Sequence, residues 1–199
     1  MKNVLKLESI TKWLPTASKP IIISGPCSAE TEDQMIATAK QLAATGKVHA
    51  LRAGIWKPRT RPGQYEGAGE EGLKWLVQEK KETGLPITTE VANAAHVEAC
   101  LKAGVDILWV GARTTVNPFS VQEIADSLKG VDVPVMVKNP INPDLELWIG
   151  ALERLNKAGL TKLAAIHRGF SSLEKGPFRN APMWDMAIEL KTRIPELDI

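Results

Sequence analysis

Six short apolar runs alternate with longer amphipathic stretches from residue 20 to the end of the chain. The runs are rich in Ile, Val, Leu and Ala, which predicts buried strands, and the stretches between them have helical spacing. The predicted strands are residues 20–24, 48–53, 87–91, 107–110, 133–137 and 163–166. A last helix is predicted near residues 182–192. Strand alternating with helix predicts an α/β fold, in which helices cover a parallel sheet.

Capping residues mark where the predicted helices begin and end. Thr31, with Gln34 at the capping-box position, opens the helix after the first strand. Asn93 and Asp144 open later helices, and Asn117 precedes a proline that suits the first helical position. Glycines close four of the helices, at Gly46, Gly84, Gly104 and Gly159.

No linker, low-complexity tract or repeat divides the chain, so residues 1–199 are expected to form a single domain. Chemically reactive side chains follow every predicted strand, whereas an open doubly wound sheet would concentrate them at its switch point. The pattern therefore favours a (β/α)8 TIM barrel. Only six β/α units are present, so we expect a barrel domain truncated before strands seven and eight.

Composition and charge exclude several classes of protein. Hydrophobic residues at 44% and charged residues at 24% are typical of a globular domain. A net charge of +2 is too small to indicate a nucleic-acid or membrane-surface partner. No apolar run is long enough to span a bilayer, and the N-terminal residues lack the features of a signal peptide. Two cysteines without motif spacing favour a reduced, cytoplasmic location.

Cationic side chains follow four of the six predicted strands. They are Arg52, Lys57 and Arg59 after strand two, Arg113 after strand four, Lys138 after strand five and Arg168 after strand six. Parallel strands end at one edge of a sheet, so these cations would repel one another unless an anion neutralised them. We therefore expect an anionic ligand with more than one phosphate or carboxylate, and an enzyme is the leading interpretation.

The segment Lys57-Pro58-Arg59-Thr60 is the sharpest local feature of the chain. Pro58 fixes the backbone between two cations, while Arg59 and Thr60 offer a guanidinium and a hydroxyl to the same oxyanion. A solvated basic loop is the alternative for these four residues alone. After strand four, Gly111 and Ala112 are small enough to let a backbone N–H approach a phosphate.

Four further residues carry side chains of interest. Cys27 is either a small apolar filler or a thiolate that acts as nucleophile or metal ligand, and the sequence leaves this open. Glu90 ends strand three, where a carboxylate requires a cation, a water molecule or a metal. His167 is a weaker acid–base candidate, because strand alternation can point it away from the Arg168 side. Cys100 lies on an apolar helix face and is expected in the core.

Together, the segments GPCSAE, LRAGIWKPRT, GAGEEGL, WVGARTT, VKNP and HRGF resemble the class I 3-deoxy-D-arabino-heptulosonate 7-phosphate (DAHP) synthases, in their compact microbial, type I beta subtype. The resemblance implies an aldolase-like transferase that condenses phosphoenolpyruvate with erythrose 4-phosphate and water, the first step of the shikimate pathway. The products are DAHP and phosphate. Sibling synthases of 3-deoxy-D-manno-octulosonate 8-phosphate share the barrel but lack KPRT, so this segment favours the four-carbon sugar.

The resemblance also implies a role for each matched residue. Lys57 and Glu90 would be catalytic, with Glu90 helping to position the attacking water. Phosphoenolpyruvate would be bound by Arg52, Lys57, the backbone N–H of Ala112, Arg113, Lys138 and Arg168. Arg59 and Thr60 would bind the phosphate of erythrose 4-phosphate.

A divalent metal ion, Mn²⁺ or similar, is a further implication, with Cys27 as one ligand and the aldehyde polarised by the metal. In the family the other ligands, a His, a Glu and an Asp, come from strands seven and eight, which the six predicted units do not include. A second hypothesis is therefore a catalytically inactive fragment that binds phosphate ligands or serves regulation. The family also implies a homo-oligomer and, in some members, a chorismate mutase domain or partner.

Overall fold

The computed structural model describes residues 5–14, 20–173 and 176–199. The strands in these ranges are Ile23–Ser24 (β1), Ala50–Arg52 (β2), Ile87–Val91 (β3), Ile107–Val110 (β4), Val135–Lys138 (β5) and Leu163–Ile166 (β6). The helices are Ile10–Trp13 (α1), Glu32–Ala44 (α2), Glu70–Thr83 (α3), Ala94–Ala103 (α4), Ala112–Thr115 (α5), Pro118–Ser127 (α6), Leu145–Lys157 (α7) and Trp184–Arg193 (α8). None of the helices in the described ranges is long and apolar enough to cross a membrane.

The strands form one parallel sheet in the order of the sequence, from β1 to β6. Each strand is followed by helix, as in consecutive units of a (β/α) barrel, so the predicted fold class is confirmed. The sheet is open in the described residues, with β1 and β6 at its two edges. Beyond α8, the carbonyl of Asp198 accepts a hydrogen bond from the backbone N–H of Ala165 at 2.8 Å, in a parallel bridge beside β6. The described residues thus form a half-barrel, and the segment after α8 pairs with the β6 edge.

Most of the predicted boundaries are confirmed. Strands β3, β4 and β6 have the predicted residues, while β1 and β2 are shorter and β5 begins at Val135 instead of residue 133. Pro134 lacks an N–H, so regular pairing of β5 starts after it. The side chains of Thr31, Asn93 and Asp144 each accept a backbone hydrogen bond from the first turn of their helices, as predicted.

Two single-turn helices were not predicted, because four residues are too few to show a helical period. The first, α1, lies against the inner face of the sheet. The second, α5, begins directly after β4 and contains Arg113.

Alternation along the strands separates two apolar layers. One set of side chains faces the outer helices and forms the larger core, with Leu51, Leu108, Val110 and Val137 among its strand residues. The other set faces the concave side and packs with Leu14 in a smaller cluster that contains Ala50, Ile107, Trp109, Met136 and Ala164. The concave side is thus apolar in its middle, and charged residues are left for the ends of the strands.

Candidate active site

Strand alternation brings charged side chains to the C-terminal end of the concave face. Ala50 and Met136 belong to the inner cluster, so Arg52 and Lys138, two residues further along their strands, face the same side. Glu90 lies beside Trp109 in the register of β3 and β4. These residues form one group at the end where (β/α) barrels carry their active sites.

Glu90 is held by two donors from neighbouring strands. Its Oε2 accepts hydrogen bonds from Trp109 Nε1 at 2.7 Å and from Lys138 Nζ at 3.1 Å. The Trp109 ring lies 4.9 Å from Lys138 Nζ and 5.2 Å from the guanidinium carbon of Arg52. Burial lowers the pKa of Lys138, Glu90 opposes this effect, and the charges of Arg52 and Lys57 add to the lowering. An aromatic ring and one carboxylate therefore organise two cations of the cluster.

Four cations of the group, Arg52 among them, donate hydrogen bonds to uncharged backbone oxygens. The pairs are Arg52 Nη1 with Pro26 O (3.0 Å), Lys57 Nζ with Cys27 O (2.6 Å), Arg59 Nε with Tyr65 O (2.6 Å) and Arg113 Nη1 with Pro58 O (3.1 Å). A carbonyl oxygen orients a cation but does not neutralise it, whereas Glu90 compensates the charge of Lys138. The group therefore keeps an excess of positive charge, which favours a multiply charged anion.

Arg113 connects the end of β4 to the long loop after β2, which we call the KPRT loop (residues 57–69). Its two terminal nitrogens reach the carbonyl of Pro58 and, at 3.4 Å, the hydroxyl of Thr60. Arg113, Arg59 and Thr60 are all exposed. The residues predicted for the two subsites therefore lie next to each other, and Arg113 of one set contacts Thr60 of the other.

Arg168 is fixed by two asparagines. Its backbone N–H donates to Asn139 Oδ1 at 2.7 Å, and its guanidinium Nη2 donates to Asn180 Oδ1. Asn139 is fully buried, and its Nδ2 donates to the carbonyl of Gly169 at 2.8 Å. Burial lowers the pKa of Arg168, and the charges of Arg179 and Arg113 lower it further. The last two effects mean that the cations of this group repel one another.

Cys27 is an exposed thiol beside Lys57, with 3.6 Å between Cys27 Sγ and Lys57 Nζ. Partial burial works against ionisation, but the charges and hydrogen bonds of Lys57 and Arg52 outweigh it, so the pKa of Cys27 is lowered. In the described part of the chain no three His, Cys, Asp or Glu residues lie close enough together to hold a metal ion. A single thiolate is an incomplete ligand set, so the described residues alone do not fit a divalent metal.

The structure brings the sequence-predicted residues together along the ends of β1 to β6, including Ala112 at the start of α5. His167 is separate from them: its ring packs against Trp148, Phe170 and Trp184, in line with the predicted alternation. Cys100 is fully buried, and burial raises its pKa to about 12, as expected for a core thiol.

Sequence reasoning missed four residues that support the site, namely Trp109, Asn139, Asn180 and Tyr65. Trp109 had a usable signal, because it stands two residues before Gly111 in a strand whose alternate positions face inward. Asn139 directly follows Lys138, but its contact with Arg168 depends on the pairing of β5 with β6. The antiparallel bridge between Phe170 and Ala181 places Asn180 beside Arg168, and no local sequence pattern predicted this bridge.

The chain matches a known protein family over most of its length. The model of the DAHP synthetase I family matches residues 15–195. The chain belongs to this family. A phospho-2-dehydro-3-deoxyheptonate aldolase from Thermotoga maritima is 32% identical over 154 residues, which are 77% of this chain and 44% of that relative. A 2-dehydro-3-deoxyphosphooctonate aldolase from Syntrophotalea carbinolica is 33% identical over 119 residues, which are 56% of this chain and 42% of that relative.

Solved structures show the same family likeness. The crystal structure of the DAHP synthase from Thermotoga maritima superposes with a TM-score of 0.74 at 27% identity, over 87% of this chain and 48% of that one. A truncated form of the 3-deoxy-D-arabino-heptulosonate 7-phosphate synthase from the same organism gives a TM-score of 0.72 at 25% identity. The match covers 89% of this chain and 61% of that one. The chain thus spans about half the length of the curated relatives that it matches.

Proposed function

We propose that the protein catalyses the aldol-type condensation of phosphoenolpyruvate with erythrose 4-phosphate and water, which yields DAHP and phosphate. The observation that carries the proposal is the group of cations at the ends of β2, β4, β5 and β6, most of which donate to uncharged oxygens. Such a group suits two phosphorylated substrates, one of which also carries a carboxylate. Family membership and the KPRT segment support these particular substrates.

In this proposal each charged residue has a defined task. Arg52, Lys57, Arg113, Lys138, Arg168 and the N–H of Ala112 bind phosphoenolpyruvate, and Arg59 with Thr60 binds the phosphate of the aldose. C3 of phosphoenolpyruvate forms the new bond to the aldehyde carbon, the oxygen of water bonds to C2, and phosphate leaves by C–O cleavage. Glu90, oriented by Trp109, holds the water, while Lys57 stabilises charge on a reacting oxygen.

A divalent metal belongs to the family assignment, in which Cys27 is one ligand. The described residues supply only that ligand and do not by themselves complete a metal site.

Phosphate release tests the proposal directly. The protein is incubated with Mn²⁺, phosphoenolpyruvate and either erythrose 4-phosphate or arabinose 5-phosphate, and inorganic phosphate is measured over time. We expect phosphate release in the assay with erythrose 4-phosphate and none in the assay with arabinose 5-phosphate. Release with the five-carbon sugar alone would assign the chain to the octulosonate reaction of some of its relatives.

A second candidate is an anion-binding module without turnover, which the absence of a metal-ligand cluster among the described residues favours. In that case the protein would bind phosphoenolpyruvate in a calorimeter but release no phosphate. A protein that neither binds phosphoenolpyruvate nor releases phosphate would contradict both candidates.

Arg59→Ala tests the assignment of substrates to subsites. Arg59 is exposed in the KPRT loop, and its removal should weaken binding of erythrose 4-phosphate while leaving that of phosphoenolpyruvate nearly unchanged. The loss of a charge-assisted phosphate contact is expected to cost about 1.5–3 kcal/mol, measured by isothermal titration calorimetry with each ligand. Arg61→Ala, an exposed arginine of the same loop, is the matched control and should change neither affinity. Equal losses for both ligands in Arg59→Ala would contradict the assignment.

A further inference from the structure

Tyr65 is the single tyrosine of the chain and makes two contacts that fasten the KPRT loop. Its hydroxyl donates to the carbonyl of Ala29 at 2.6 Å. Its own backbone carbonyl accepts from Arg59 Nε, also at 2.6 Å. One residue therefore joins the loop after β2 to the loop after β1 and at the same time orients an arginine. The residue remains 43% exposed, so burial alone does not account for its position.

The bond between Arg59 and the Tyr65 carbonyl leaves the guanidinium suited to bind an oxyanion. It uses the single N–H of Nε, while the two terminal nitrogens keep four N–H groups in the planar arrangement that recognises phosphate. Because the acceptor is uncharged, the full positive charge of Arg59 is retained. The position of the Tyr65 backbone therefore controls the direction in which the cation is presented.

Ala29, whose carbonyl accepts the hydrogen bond from the Tyr65 hydroxyl, is held firmly in place. Ala29 is fully buried, and its N–H donates to the carbonyl of Gly54 at 3.1 Å. Ala29 lies two residues after Cys27, so the Tyr65 hydroxyl connects the KPRT loop to the segment that carries the reactive thiol.

The C-terminal part of the KPRT loop is fixed independently of the phenol. The backbone N–H of Lys57 donates to the carbonyl of Glu66 at 2.7 Å. Gly67, with a φ of +102°, packs so closely that a Cβ would lie 2.0 Å from the carbonyl oxygen of Ile55. Removal of the Tyr65 hydroxyl should therefore release the exposed part of the loop around Arg59 without unfolding its base.

We propose that Tyr65 is a positioning residue that sets the affinity of the site for the aldose phosphate through Arg59. This inference rests on the proposed function. In the wild-type protein the phenol holds the Tyr65 carbonyl in place, and the carbonyl holds the Arg59 guanidinium where the phosphate of erythrose 4-phosphate binds. Phosphoenolpyruvate has no proposed contact with Arg59, so its binding does not depend on this link.

The isosteric change Tyr65→Phe tests the inference, with affinities measured by calorimetry for erythrose 4-phosphate and phosphoenolpyruvate separately. Loss of the one hydrogen bond should raise the dissociation constant of erythrose 4-phosphate roughly 3- to 10-fold and leave that of phosphoenolpyruvate unchanged. Thr192→Val, which removes another hydroxyl-to-carbonyl hydrogen bond on the distant α8, is the control and should alter neither. Unchanged affinity for erythrose 4-phosphate in Tyr65→Phe would overturn the inference, as would an equal loss for both ligands.

A double-mutant cycle with Arg59→Ala separates positioning from a general structural effect. If Tyr65 acts through Arg59, Tyr65→Phe should have no further effect on erythrose 4-phosphate binding in the Arg59→Ala background, whereas additive losses would refute the link. Thermal unfolding of each variant confirms that it is folded under the conditions of titration. Wild-type protein that binds neither ligand would overturn the proposed function itself, an outcome distinct from any difference between the variants.

Discussion

At the scale of single residues, Glu90 has a closely constrained environment in the candidate site. Trp109 and Lys138 hold one carboxylate oxygen, and Gly111 lies against the rest of the carboxylate. A Cβ on Gly111 would stand 2.3 Å from Glu90 Oε1 and 2.6 Å from its Cδ. A flexible glutamate could move aside at little cost, but this one is held by two donors from neighbouring strands. Residue 111 must therefore lack a side chain for Glu90 to keep its position.

Gly111→Ala should displace the Glu90 carboxylate and disturb its pairing with Lys138. We expect a loss of about 1–3 kcal/mol in the free energy of unfolding, the usual cost of overpacking, measured by urea denaturation. Weaker binding of phosphoenolpyruvate should accompany it, because Lys138 loses the carboxylate that orients it.

Gly150→Ala is the matched control, since a Cβ at this position in α7 meets no atom within 4 Å. Alanine is a better helix former than glycine, so this change should leave stability unchanged or raise it. Equal stability of the two variants would show that Glu90 moves freely.

At the scale of elements, α3 contains a buried acid that nothing compensates in the described structure. Glu79 is 2% exposed, and its Oε2 has no hydrogen-bond partner among the described residues. Burial raises the pKa of Glu79 to about 8, from an ordinary value of 4.5. The folded protein therefore keeps this carboxyl protonated at neutral pH, when the unfolded chain would ionise it.

The consequence is a pH-dependent loss of stability. Because the pKa of Glu79 is raised in the folded state, the contribution of this residue to the free energy of unfolding is fully present below pH 4.5. It is lost as the pH rises to about 8. Glu79→Gln keeps a neutral polar side chain at all pH values. Melting temperatures measured between pH 5 and 8 should therefore fall less steeply with rising pH in Glu79→Gln than in the wild type.

Glu82→Gln on the same helix is a control of opposite sign. Hydrogen bonds from Lys40 and Gln78 lower the pKa of Glu82, so its carboxylate is the stabilising form. Because Glu82 is exposed, Glu82→Gln should lower stability only slightly at neutral pH. It should not make the melting temperature less dependent on pH. Identical profiles for wild type and Glu79→Gln would disprove the assignment of a protonated Glu79.

At the scale of the whole molecule, the site gathers positive charge from the ends of strands that are distant in sequence. The net charge of the chain is only +2, so the excess at the site is a matter of arrangement and not of composition. Repulsion among Arg113, Arg168 and Arg179 is an unfavourable term that a bound anion would remove. Anions that bind the folded state should accordingly stabilise the whole half-barrel.

We expect phosphoenolpyruvate, and to a smaller extent sulfate, to raise the melting temperature of the wild-type protein at constant ionic strength. At a hundredfold excess over its dissociation constant, a ligand contributes about 2.7 kcal/mol. Arg168→Ala should reduce the shift caused by phosphoenolpyruvate. Chloride at matched ionic strength is the control for screening. A shift absent in the wild type, or undiminished in Arg168→Ala, would argue against a shared anion pocket.

The sequence by itself determined the order of the elements, most of their boundaries and the charged side chains that lie together at the ends of the strands. Apolar runs of strand length and the capping side chains of Thr31, Asn93 and Asp144 are local signals, and parallel strands place their ends together without further information. The KPRT segment was recognisable for the same reason, since its residues are adjacent in the chain.

Only the tertiary structure decided which partners hold those residues. Trp109 reaches Glu90 across the register of two strands, and Asn180 reaches Arg168 through the closure of a loop. Tyr65 reaches Ala29 from a loop that begins at the end of another strand. These contacts join residues that are far apart in the sequence, and a local pattern carries no information about such a pair until the sheet has fixed the distance between them.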